Sequence, residues 1–267
     1  MNAEYLELEL WQVSLAAGLI LINAAISLLL RLGLESRLLV ASLRTVVQLL
    51  LIGLVLRWVF APDRSLLIVV LLMTAMTLIA GLSAVGRVSF RYRGIWLDSV
   101  LAIWASSWLI AAVSVFGVVQ VRSADFAQYA IPLLGMVLGN TLNGISLGLD
   151  RLGEQFDSRR DHVETLLALG ATRWEAARDC LQQAIRTGMI PIINAMTVVG
   201  LVSLPGMMTG QLLAGVDPVQ AVMYQIMIMF MIASGTALGT VAVVLAGYGR
   251  LFNADHQFLP RRLHRRD

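Results

Sequence analysis

The sequence contains no lysine; all 20 of its Lys-or-Arg residues are arginine. A phosphate-binding P-loop of the form G-x-x-x-x-G-K-[ST] is thereby excluded, because its lysine must reach the phosphates. Cysteine is nearly absent too. A single residue, Cys180, rules out an internal disulfide framework. The three histidines, His162, His256 and His264, fall in polar segments, and neither H-E-x-x-H nor C-x-x-C occurs. A self-contained ATPase, a zinc enzyme and an intramembrane acid–base enzyme all lack their parts. Charge is scarce as well: 14% of residues are charged, where a soluble domain carries about 25%.

What is present is apolar length. Hydrophobic residues make up 58% of the 267. Stretches long enough to cross a bilayer recur near 10–30, 38–60, 66–85, 95–118, 129–149, 189–214 and 219–248. The sixth is interrupted at Pro205 and Gly206. The N-terminus carries Glu4, Glu7 and Glu9 and no basic residue, so the first stretch reads as a retained helix, not a signal peptide. The sequence predicts an all-α integral membrane protein of about seven transmembrane helices, a single domain over 1–267.

Arginine sets the orientation. With the N-terminus outside, the inner loops hold Arg31, Arg37, Arg87, Arg91, Arg93, Arg151, Arg159, Arg160, Arg173, Arg178, Arg186, Arg250, Arg261, Arg262, Arg265 and Arg266. The outer loops hold only Arg57, Arg64 and Arg122. This bias places the C-terminus in the cytoplasm. Basic residues gathered in loops in this way, with Arg44 alone inside a span, also give no nucleic-acid surface. Trp11, Trp58, Trp96, Tyr129 and Tyr248 fall near span ends, where amphipathic rings prefer the interface.

One cytoplasmic segment, about 150–188, is much longer than the rest. Within it Gly170 suits a helix stop. Thr172 and Glu175 form the T-x-x-E of a capping box that restarts a helix at once. Trp174, Ala177, Leu181, Ala184 and Ile185 then recur at helical spacing, opposite Glu175, Arg178, Asp179, Gln182 and Arg186. The expectation is helix, glycine turn, helix, read either as a docking element or as an ordinary surface hairpin.

Several residues inside the spans stand out. Arg44 and Gln48 share a face of the second span. A mid-membrane charge costs about 3 kcal/mol or more and is usually functional, although a residue this near the span's end can also snorkel to the headgroups. Pro205 breaks a helix where a cavity or protein must satisfy the backbone. That marks either a substrate site or a packing kink. Asn140 and Asn143 either line a pathway or hydrogen-bond between helices, and the second reading is preferred. Gly135 and Gly139, and Gly235 and Gly239, form G-x-x-x-G packing faces. Met223, Met227 and Met231 lie on one helix face, and Met207 and Met208 follow the Pro205 break. Thioethers suit soft ions, but such a stripe is more often packing. The candidate pathway is Arg44, Gln48, Asn140, Ser203, Pro205, Met207, Met208 and Gln225.

The stretch from Glu164 to Gly170 resembles the first half of the coupling loop of ABC-transporter permeases, E-A-A-x-x-x-G. The importer pattern continues to an apolar-x-Leu-Pro, which Cys180, Leu181, Gln182 and Gln183 do not follow. A second likeness is more specific. Gly200 through Gly210 with Ser203, Pro205 and Gly206, then Ala214 through Pro218, then Tyr224 through Met227, resembles the FetB-type permease family. Gly135, Met136, Gly139 and Asn140 fit it as well.

That resemblance implies an ABC permease associated with iron export, located in the bacterial inner membrane. A separate subunit would bind the ATP, this chain would hold no cofactor, and two permease copies would pair. Glu164, Leu169, Gly170, Ala171, Thr172, Trp174 and Glu175 would couple to the ATPase. The alternatives are an ABC permease for another metal, a metal chelate or a sugar nucleotide, and an ion-coupled secondary transporter. Asp98 would be the nearest coupling acid for the latter.

Overall fold

The computed structural model describes residues 9–60, 65–121 and 125–265. Glu4 and Glu7, used above against a signal peptide, and Arg64, Arg122 and Arg266, used for orientation, lie outside them. The described chain is helical almost throughout: α1 Leu10–Leu29, α2 Glu35–Val59, α3 Leu66–Gly86, α4 Ile95–Ala112 with a π-helical end Val113–Val118, α5 Phe126–Ser158, α6 Arg160–Ala168, α7 Arg173–Val198, α8 Gly206–Leu213 and α9 Pro218–Leu251. Two three-residue strands, β1 Phe90–Tyr92 and β2 Leu263–Arg265, pair antiparallel, with Arg91 opposite His264. Among the described residues six helices are long and apolar enough to cross a membrane: α1, α2, α3, α4 with its π-helical end, α5 and α9. The protein is an all-α membrane protein.

Six of the seven expected stretches are thus single helices. The stretch at 189–214 is composite. It is the last part of α7, a turn, and α8. The helix does not break at Pro205, as its missing N–H suggested, but seven residues earlier, at Val198. Gly200 takes φ +82°, and the Val198 carbonyl accepts from the N–H groups of Leu201 and Val202 at 3.3 and 3.0 Å. Gly200 N–H then reaches the Ser203 carbonyl at 2.9 Å. A glycine-centred turn has already ended the helix, and Pro205 serves to start the next one, its carbonyl accepting from Thr209 N–H at 3.0 Å.

The chain divides into two compact units, Met1–Ser65 with Leu213–Gly215, and Leu66–Leu212 with Val216–Asp267. In the first, α1 and α2 form a hairpin. Its turn is closed by the Ser27 hydroxyl, which donates to Glu35 Oε2 at 2.9 Å and accepts from Leu34 N–H at 3.0 Å.

The second unit is built around α5, α7 and α9. Helix α7 runs antiparallel to α5, since Gly188 meets Gly144 and Ala184 meets Gly148. Helix α9 runs parallel to α5, with Gly235 against Val137, Gly239 against Thr141 and Gly247 against Leu152. The three backbones meet most closely at one level: a Cβ on Gly188 would lie 2.6 Å from the Gly144 carbonyl oxygen and 2.6 Å from Thr240 Cγ2. No side chain larger than hydrogen fits there, which is why small residues serve helix packing in a bilayer. Gly235 and Gly239 form the packing face their spacing implied. Gly139 does not. A Cβ there would meet nothing within 4 Å, and Gly135 meets only the end of Met76. Helix α4 is bonded to α3 through Trp108 Nε1–H to Thr77 Oγ1, 3.0 Å, and α5 to α3 through Ser146 Oγ–H to the Ala84 carbonyl, 3.1 Å.

Candidate coupling hairpin and membrane cavity

The α6–α7 hairpin is made by local chemistry. Helix α6 ends in a Schellman arrangement: Gly170 N–H bonds to the Leu167 carbonyl and Ala171 N–H to the Leu166 carbonyl, both at 3.0 Å. Gly170 holds φ +91°, where a side chain would be strained although space is open around it. Two residues on, Thr172 caps α7. Its Oγ1 accepts from Glu175 N–H at 3.3 Å, and the Glu175 carboxylate accepts from Thr172 N–H at 2.8 Å and from the Thr172 hydroxyl at 2.7 Å. The backbone bond is the largest cause, and the hydroxyl the next, of a Glu175 carboxyl held below its ordinary value.

The helix–turn–helix expectation therefore holds in detail. Its tip presents Leu169, 79% exposed, and Trp174, 50% exposed. Ala177, Leu181 and Ala184 are buried beneath, while Arg178, Asp179, Gln182 and Arg186 face outward. Glu164 is exposed and pairs with Arg160 at 2.9 Å along its own helix.

The hairpin is tied to the rest of its unit by a cluster that sequence reading missed. Arg173 N–H donates to His256 Nδ1 and its Nη1 to the Asn253 carbonyl, each at 3.1 Å. Trp174 meets Tyr248 edge-on at 5.8 Å, and the Arg173 guanidinium lies 5.8 Å from the same ring centre. Tyr248, placed at the interface by its position, therefore also packs on the hairpin. It continues into Phe252, which with Phe156 and Phe258 forms an aromatic knot.

Beside that knot Arg250 donates to both oxygens of Asp98, at 3.2 and 3.0 Å, and its carbonyl accepts from Arg262. The buried Tyr92 phenol is pushed well above its ordinary value, by desolvation first and by the Asp98 charge second. The termini of α3, α4, α5, α7 and α9 that carry Arg87, Arg91, Arg93, Arg151, Arg173 and Arg250 thus gather at one end of this unit. Ser89 N–H to Asp150, 2.7 Å, and Arg87 to Asn143 Oδ1, 2.8 Å, close it. The second of these gives Asn143 the inter-helix role expected of it. Asn140 has no such bond; its Nδ2 donates to the Met136 carbonyl of its own helix at 2.9 Å.

At the other end of α7 lies a cavity of about 320 Å³. Helix α5 supplies Met136 and Asn140, the turn after α7 supplies Ser203 and Pro205, α8 supplies Met207, and α9 supplies Gln225. Five of the eight pathway candidates therefore share one wall: Asn140, Ser203, Pro205, Met207 and Gln225. Met208 lines an adjoining cavity of about 430 Å³, which shares Val199, Gln225 and Met229 with the first. Gln225 is 6% exposed, and its Oε1 has no hydrogen-bond partner. Arg44 and Gln48 stand one turn apart on α2 of the first unit, both exposed. Met223, Met227 and Met231 line a third depression, of about 390 Å³, beside the π-helical end of α4. Among the described residues no three His, Cys, Asp or Glu cluster as a metal site.

No solved structure is detectably similar to this chain. Curated proteins are. A membrane protein of Synechocystis sp. is 40% identical over 90% of this chain and 93% of its own length. An Escherichia coli protein named "Probable iron export permease protein FetB" is 32% identical over 95% of this chain and 96% of its own. The Arabidopsis thaliana protein ALUMINUM SENSITIVE 3 is 28% identical over 91% of this chain and 88% of its own. The profile of the uncharacterised protein family UPF0014 matches residues 10–252. With agreement along nearly its whole length, this membrane protein belongs to the UPF0014 family.

Proposed function

We propose that this chain is the membrane-spanning permease subunit of an ABC-type exporter. Two copies would work with two copies of a separate ATPase, and iron is the preferred cargo. The observation that carries the ABC reading is the α6–α7 hairpin. It is a capped helix pair with an exposed apolar tip, Leu169 and Trp174, joined by its second helix to the helices that line the cavity. Iron comes from the name of the E. coli relative.

Topology supports the reading. Helix α5 has 33 residues, about 50 Å at 1.5 Å per residue, against a hydrocarbon core of about 30 Å. Its last turns therefore stand clear of the bilayer and carry the hairpin with them. Helix α7 then runs back along α5, from the arginine-rich end to the level of Met136 and Asn140. It is the sixth span in chain order and brings the count to seven in this scheme, charged in its first turns because those lie outside lipid. The gathering of Arg87, Arg91, Arg93, Arg151, Arg173 and Arg250 at one end favours that end as cytoplasmic.

The ion-coupled alternative needs a free acid within the membrane. Asp98 is its nearest candidate, and Asp98 is engaged by Arg250. Two experiments test the proposal. Reporters at Asp217 and after Asp267 are expected outside and inside respectively; the reverse at either site rejects the topology. Cells lacking the protein are expected to accumulate iron under load, and unchanged iron content removes iron as cargo.

A further inference from the structure

The strongest unexplained feature of the molecule is the polar atom it buries and leaves unpaired beside a cavity. Gln225 is 6% exposed, its Oε1 meets no donor, and it lines both the 320 Å³ and the 430 Å³ cavities. An unpaired buried acceptor is costly, and native structures hold few that no ligand, water or strain explains.

The lining says what could sit there. In the first cavity the polar side chains are Asn140, Ser203 and Gln225, all neutral. The methionines are Met136, Met207 and Met229. Neither cavity is lined by a carboxylate, imidazole, thiolate or cationic group. A hard multivalent cation draws oxygen ligands, usually carboxylates, and a charge taken from water without a partner is strongly disfavoured. Volume points the same way. A bare ion is far smaller than either cavity, whereas about 300–1,000 Å³, mostly apolar with a few placed polar groups, is the range for small organic ligands. Methionine walls suit such a ligand, because the thioether chain refits to irregular shapes.

We propose that the cavity takes its cargo as an uncharged, ligand-wrapped species, a metal ion already enclosed in an organic chelate, with the Gln225 carboxamide as the polar anchor. The inference rests on the iron-export reading above and specifies the form of the cargo. The chelate presents a peripheral hydroxyl and its carbon edges to the wall, so the protein supplies no metal ligand at all. Met207 and Met229 act as surface, and Gln225 Oε1 orients the chelate by accepting from that hydroxyl.

The test is equilibrium binding of radioactive iron to the purified full-length protein in detergent. The neutral tris(kojato) iron(III) complex, which carries free hydroxymethyl donors, is compared with ferrous iron alone, with anionic iron citrate, and with silver(I) as a probe for a soft-ion site. Saturable binding is expected for the neutral complex, at least tenfold tighter than for ferrous iron or the citrate. Silver(I) is expected neither to bind in the cavity nor to compete. Free kojic acid is expected to compete at least tenfold more weakly than the complex. Gln225→Leu, which replaces the unpaired amide by an apolar group of similar size, is expected to weaken binding tenfold. Met207→Leu and Met229→Leu keep apolar volume without sulfur and are expected to weaken binding less than Gln225→Leu does.

Several results overturn the proposal: bare iron bound as tightly as the complex, silver(I) binding abolished by Met207→Leu, kojic acid competing as well as its complex, or no saturable binding of the neutral complex. The wild-type comparison decides even where a variant fails to fold. Cellular iron content keeps the two claims separate. If it responds to the protein while bare iron is what binds, iron export stands and the chelate form falls. If it does not respond, the iron reading itself has failed.

Discussion

The two ends of α7 are built on opposite plans. At its N-terminal end directed polar contacts bind the chain: a Schellman turn at Gly170, a capping box at Thr172, Arg173 on His256 and Asn253, and Arg250 on Asp98, although Arg91 Nε and Gln155 Oε1 are buried there without a partner. At its C-terminal end the helix stops at Val198, a turn intervenes, two cavities open, and Oε1 of both Gln225 and Gln211 goes unpaired. Between them the Gly144, Gly188 and Thr240 contact clamps α5, α7 and α9 together. In the proposed reading, a push on the hairpin end would be carried along this stiff three-helix core to the end where the cavities open. Interiors packed this closely transmit strain instead of absorbing it.

The largest expected effect is on the clamp. Gly188→Val drives two methyl groups into the Gly144 carbonyl and Thr240. Overpacking of this kind costs about 3 kcal/mol, and here backbone leaves no room to yield. A marked fall in membrane level, or in melting temperature in detergent, is expected. Gly170 is the opposite kind of glycine. Space around it is open, and only its φ is demanding. Gly170→Val is expected to spare membrane level yet reduce ATPase co-purification severalfold, since the left-handed backbone costs an L-residue about 1–2 kcal/mol. Gly170→Asn, which tolerates that region, should stay near wild type. If Val and Asn behave alike, φ at this turn is not what matters.

Asp98→Asn should act in a middling way. It removes the charge but keeps an acceptor for Arg250, and the Arg250 side chain is 45% exposed, so water screens much of the loss. Faster amide exchange in β1 and β2, with transport retained at matched expression, is expected. Abolished transport would revive the ion-coupled reading.

The smallest effect concerns the capping box. Thr172→Ala should cost about 1 kcal/mol of helix stability. The Glu175 carboxyl is held below its ordinary 4.5. Its contribution is therefore complete above that value and is lost as pH falls through the lowered one. Amide protection at the start of α7 should be flat at neutral pH and decline only in acid. Glu175→Gln should remove that acid step.

These regions were also unequally legible in the sequence. The hairpin could be read because its determinants are local: Gly170, Thr172 and Glu175 lie within six residues, and each acts on its neighbours' backbone. Asp98 and Arg250 are 152 positions apart, and nothing near either names the other. The weak clue was that each sits in the terminal turn of a span, at the end the arginine count assigns to one side. The helix break was found but misplaced, because Pro205 announces a missing donor whereas the Gly200 turn had to be seen. Asn140 and Asn143 look alike in sequence; only the packing shows that one reaches Arg87 and the other a cavity.

The central claim is that an ATPase docks on the hairpin tip. Leu169→Cys tests it directly. The native Cys180 is buried, so the new thiol is the single reactive one. The account predicts that, in membranes holding both proteins, a short thiol crosslinker joins this cysteine to a nucleotide-binding subunit, and that the adduct fades with Gly170→Val. A cysteine at 169 that stays fully open to a soluble maleimide in the presence of the ATPase, and forms no adduct, would contradict it.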